Sequence, residues 1–130
     1  MFTQTTRHIK VTVIPTYLPQ QSDPLQFHHV WAYTVQLENL GTDTVQLLNR
    51  YWHITDAQGS VQEVRGVGVV GEQPVIKPGD SFQYTSGAAL KTLSGLMRGS
   101  YEMTTQDGEL FSVEIPAFSL DSPAQVNRPN

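Results

Sequence analysis

Along most of this chain apolar and polar residues alternate with a period of two, which marks strands with one face buried. In residues 7–13, Ile9, Val11 and Val13 alternate with His8, Lys10 and Thr12. In residues 30–38, Trp31, Tyr33, Val35 and Leu37 share one face, opposite Ala32, Thr34, Gln36 and Glu38. A third strand starts at Thr44 with Val45 and Leu47 on one side. The alternation then slips at Leu48 and Asn49, after which Tyr51 and His53 oppose Trp52 and Ile54. A one-residue slip of this kind predicts a β-bulge or a bend. Shorter alternating runs follow at residues 60–64, at Phe82 and Tyr84, at Tyr101 and Met103, and at Phe111, Val113 and Ile115.

Turn chemistry separates the runs. Asp56-Ala57-Gln58-Gly59 and Lys77-Pro78-Gly79-Asp80 read as turns, and Asp107-Gly108 as a tight hairpin. Residues 88–96 are the only stretch that could hold a helical turn, and Ser94-Gly95 interrupts it. The pattern predicts an all-β fold: an immunoglobulin or fibronectin type III-like β-sandwich of seven to eight antiparallel strands. Trp31 is placed to fill the space between sheets, and Gly99-Ser100-Tyr101 has the look of a tyrosine corner. Residues 1–120 read as one domain without repeats. Residues 121–130, with two prolines and almost no apolar residues, read as a disordered tail.

Composition narrows the function classes. The 130 residues suit a single core, and no apolar run nears the roughly 20 residues a membrane-spanning helix needs. Cysteine is absent, so neither disulfides nor thiolate chemistry is available; a cytoplasmic protein is expected. Eight basic residues spread thinly against twelve acidic ones give a net charge of −4, so no nucleic-acid partner is expected. His8, His28, His29 and His53 lack the paired spacing of a metal site, and no nucleophile elbow or paired acid and base can be assembled. No catalytic residue, metal or cofactor is expected.

Gly66-Val67-Gly68-Val69-Val70-Gly71 is formally a dinucleotide-binding GxGxxG. Such a site needs a helix N-terminus after the glycines, and here Pro74 and Pro78 follow instead. The glycines are read as joining two extended segments, either as a tight connection or as a backbone nest for an anion. A second cluster, Asn49-Arg50-Tyr51-Trp52-His53, concentrates the residue types of binding hot spots. On a strand, Arg50 and Trp52 share one face and Tyr51 and His53 the other, with the core claiming some of them. Candidate binding residues are Arg50, Tyr51, Trp52, Gly66, Gly68, Gly71 and the polar run Thr85, Ser86 and Gly87.

These segments also carry a family resemblance. Asn49-Arg50-Tyr51-Trp52, Ile54-Thr55-Asp56, the run from Gly66 to Pro74, Pro78-Gly79, Tyr84-Thr85-Ser86-Gly87, the spacing of Gly95, Met97, Gly99, Tyr101 and Met103, and Ile115-Pro116 with Phe118 closely resemble the bacterial ApaG proteins, from about residue 7 to residue 120. The resemblance implies a fibronectin type III-like sandwich. It also implies kinship with a domain of eukaryotic F-box and polymerase-associated proteins that serves protein interaction. A link to cobalt resistance and magnesium efflux is implied as well, as is the neighbourhood of a diadenosine tetraphosphate hydrolase. The expected function is a non-catalytic module for an unidentified protein partner. The alternative is a sensor of a pyrophosphate-bearing nucleotide or a divalent cation. An open sheet edge could also pair with a second copy.

Overall fold

In a computed structural model that describes residues 1–123, nine strands form two antiparallel sheets. They are β1 (Phe2–Thr6), β2 (Ile9–Tyr17), β3 (His29–Asn39), β4 (Val45–Asp56), β5 (Val61–Val67), β6 (Val75–Ile76), β7 (Ser81–Leu90), β8 (Ser94–Thr105) and β9 (Leu110–Asp121). One sheet has the order β1-β2-β3-β7; the other runs β5-β4-β8-β9, with β6 beside the start of β4. The β-sandwich expectation holds, with more strands than the seven to eight predicted.

The excess has local causes. β1 consists of Phe-Thr-Gln-Thr-Thr, too polar to show alternation. It is joined to β2 by Arg7 and His8, both at positive φ (47° and 67°), a turn made without the usual glycine or asparagine. β6 is two residues long. The helical turn considered for residues 88–96 does not form: β7 runs to Leu90 and β8 begins at Ser94, so the residues between them carry the chain from one sheet to the other. Pro19 and Pro24 each open a single 3₁₀ turn in the connector from β2 to β3. Asp121 closes β9 and Ser122 is buried, so ordered chain passes residue 120; of the expected tail, residues 124–130 lie outside the described residues.

β3 shows the predicted alternation most plainly, burying Trp31, Tyr33, Val35 and Leu37 while the residues between them stay half-exposed. Across the sandwich, Trp52 meets Tyr33 edge-on at 5.2 Å, and within its own sheet it meets Phe118 of β9 edge-on at 5.9 Å. Trp31 closes one end, its Nε1 donating to the carbonyl of Asp121 at 2.9 Å.

Tyr101 does not form the expected corner. Its hydroxyl bonds to that of Tyr84 in the opposite sheet, because register places both on inward faces. Burial pushes both phenols well above their ordinary value of 10. The unfolded chain therefore releases these protons near pH 10, while the folded chain holds them to higher pH. Stability from the pair is complete below pH 10 and falls as pH rises beyond it. Urea midpoints measured between pH 8 and pH 11 should decline above pH 10, and the decline should be shallower in Tyr84→Phe.

Candidate functional site

The site is built on a bulge in β4. Pairing with β8 runs from Val45 to Leu47 and resumes at Asn49, skipping Leu48, as the slip in the sequence predicted. The extra residue shifts the phase, so Leu47 and Trp52 both point inward although one position is odd and the other even. Arg50 then faces inward and Tyr51 outward.

The glycine segment completes this arrangement. The Leu48 carbonyl, freed by the bulge, accepts the Gly68 amide at 2.8 Å and the Gln73 side-chain amide at 3.0 Å. Val69 and Glu72 exchange backbone hydrogen bonds at 2.8 and 2.9 Å around Val70 and Gly71, whose φ values of 44° and 81° make a tight hairpin turn. No helix follows: residues 75–76 are the short strand β6. The glycines do join extended segments. The amides of Gly68, Val69 and Glu72 are occupied by the chain itself, an arrangement of a close-packed connection rather than an open nest.

Arg50 is half-buried and braced against the same loop. Its Nη1 donates to the carbonyls of Val67 (3.2 Å) and Gly68 (2.9 Å), and its guanidinium lies over Gly66, where a Cβ would come within 2.6 Å of it. Gly66 and Gly68 thus make room for the structure around Arg50. Trp52 is 3% exposed and belongs to the core, which withdraws it from the candidates for partner contact. Thr85, Ser86 and Gly87 lie in β7, the outer strand of the other sheet, with Thr85 Oγ1 bonded to Thr34 Oγ1 at 2.9 Å. The structure therefore joins Arg50 to Gly66 and Gly68 and leaves Thr85 and Gly87 on a separate edge.

Tyr51 is the candidate that reaches a usable surface. On the outer face of the β5-β4-β8-β9 sheet, one row of paired residues runs Arg65, Tyr51, Ser100 and Glu114, and the next Val67, Asn49, Glu102 and Ser112. Arg65 stacks on the Tyr51 ring at 4.8 Å and pairs with Glu63 at 3.1 Å; Asn49 donates to Glu102 at 2.7 Å. The small side chains of Ser100 and Ser112 leave an open groove of about 690 Å³ between these groups and Leu110. Val67 and Leu110 are 70% and 59% exposed at its sides, apolar groups that fold stability does not require there. Arg65, Val67 and Leu110 were missed in the sequence because β5 and β9 gain meaning only once paired beside Tyr51. The available signal was Val67, an apolar residue falling on the same strand face as the charged Glu63 and Arg65.

Among the described residues no group of three or more histidine or carboxylate side chains is placed to hold a metal ion. The sandwich and its groove define a small β-domain with a concave, mixed polar and apolar face. Residues 19–105 match the ApaG domain, and the chain belongs to the ApaG family. It is 62% identical to Protein ApaG of Rhodospirillum centenum and 60% identical to that of Paramagnetospirillum magneticum, each over 130 residues and all of both chains. Its fold matches the crystal structure of an ApaA protein from Bordetella pertussis with a TM-score of 0.86 at 49% identity, covering 88% of this chain and 94% of that one.

Two substitution pairs check these placements. Trp52→Ala should cost about 3–5 kcal/mol of unfolding free energy and Tyr51→Ala about 1 or less, read from urea midpoints. Gly71→Ala should cost about 1–3 kcal/mol through its positive φ alone. Gly68→Ala should cost more, because a Cβ there would stand 2.3 Å from the Glu72 carbonyl oxygen.

Proposed function

We propose that this protein is a non-catalytic binding module that holds a protein partner on the outer face of the β5-β4-β8-β9 sheet. The observation that carries the reading is the groove of about 690 Å³ in which the stacked Tyr51 and Arg65 stand beside exposed Val67 and Leu110. Tyrosine and arginine supply large contact area and directed hydrogen bonds at few positions, which is why they dominate binding hot spots. Flanking apolar groups gain from burial that water denies them in the free chain. Arg50, Gly66, Gly68 and Gly71 serve this surface from beneath. They fix the end of β5, and through it the position of Arg65 and Val67. In this reading the link to cobalt and magnesium handling that family resemblance implies acts through the partner.

The experiment is affinity capture with the immobilised chain after in-cell cross-linking, comparing it with Tyr51→Ala and Arg65→Ala. Each variant should lose the captured protein, corresponding to about 2 kcal/mol or more of binding, while its thermal melt stays cooperative. Capture that is indifferent to both substitutions, or no captured protein at all, would overturn the proposal.

A further inference from the structure

β7 differs from every other boundary strand of the sandwich. Strand edges carry unpaired backbone donors and acceptors, and folded proteins guard them with charge, proline, bulges, shortness or a covering element. β5 carries Glu63 and Arg65. β9 carries Glu114 and Pro116, and its register against β8 shifts between Met97 and Gly99. β1 is only five residues long, and its Thr6 hydroxyl accepts the Glu114 amide of β9. β7, Ser-Phe-Gln-Tyr-Thr-Ser-Gly-Ala-Ala-Leu, is ten residues long and has no charge and no proline. Its register with β3 is unbroken from Ser81 to Leu90, and among the described residues no strand pairs with its other side. Its outward residues, Gln83, Thr85, Gly87 and Ala89, are small or neutral and exposed.

A second feature lies at the end of the same edge. Between β7 and the start of β5 a cavity of about 260 Å³ is floored by Ile54 and flanked by Val61, Ala89 and Leu90. Asp56 and Lys91 stand among its lining groups. Strand-addition sites combine two parts: a free edge that supplies main-chain hydrogen bonds, and a pocket that selects one of the alternating side chains.

We propose that the free edge of β7 accepts an extended segment of a partner protein as a fifth strand of the β1-β2-β3-β7 sheet, with one apolar side chain of that segment entering the cavity beside Leu90. The site is separate from the Tyr51 groove and goes beyond the reading based on it. Charge selects the occupant. Ten uncharged residues call for a segment uncharged along the same length, whereas a second copy would bring two chains of net charge −4 together.

The test selects binders to the full chain from a displayed library of short random peptides. Gly87→Lys is the diagnostic variant. A Cβ at Gly87 has only the Trp31 carbonyl oxygen nearby, at 3.5 Å, so the fold accepts it while a lysine guards the edge. Enriched peptides should have an uncharged core of alternating apolar residues. Their affinity should fall on the order of tenfold or more in Gly87→Lys and stay unchanged in Tyr51→Ala. The proposal is overturned if no peptide enriches, or if the peptides bind Gly87→Lys as well as the parent. A dimer in sedimentation that Gly87→Lys dissociates would overturn the choice of occupant. Loss of the groove partner in Tyr51→Ala with these peptides still bound would separate the two surfaces; indifference of that partner with the peptides still bound would sink the groove reading alone.

Discussion

The extra residue at Leu48 decides which side chains this protein shows to its surroundings. Without it the strict two-residue period of β4 would send Tyr51 and His53 inward beneath Leu47 and turn Trp52 and Ile54 out to water. With it, Trp52 packs against Tyr33 and Phe118, and Tyr51 stands on the open face beside Arg65. Core and groove are two consequences of one register shift.

A bulge frees backbone groups, and those groups need partners. Here the glycine segment provides them. Gly68 and Gln73 both donate to the Leu48 carbonyl, and Arg50 returns two hydrogen bonds to the carbonyls of Val67 and Gly68. The motif that looks in sequence like a phosphate cradle is thus the lock of the bulge. Its glycines are needed for different reasons: Gly66 gives room to a guanidinium, Gly68 lets two backbone segments meet, and Gly71 takes the positive φ of a two-residue turn. Close approach of β8 to the same strand has a similar requirement, since a Cβ at Gly99 would lie 2.1 Å from the Tyr51 carbonyl oxygen.

The two sheets divide the surface between them. One offers a face with an aromatic ring, a cation and exposed aliphatic groups; the other offers the bare edge of β7. The closed side of the sandwich, where β1 lies against β9, carries the charge, proline and register break that keep it from pairing. The asymmetry is one of chemistry: side chains dominate the first surface and unpaired main-chain groups the second.

The sequence by itself determined the all-β class, the turns at residues 56–59, 77–80 and 107–108, the inward set of β3, the slip in β4 and the lack of a helix after Gly71. All of these rest on local periodicity or local dihedral demands, which neighbouring residues impose on one another. Tertiary structure alone decided that Tyr101 meets Tyr84 and not a loop, that Trp52 is core while Tyr51 is surface, and that Arg65, Val67 and Leu110 join them at one groove. It also decided that Thr85 and Gly87 lie on a different edge from Arg50. The physical reason is that alternation says only that two faces exist. Which face meets the other sheet, and which strands stand side by side, is settled by pairing between residues far apart in the chain.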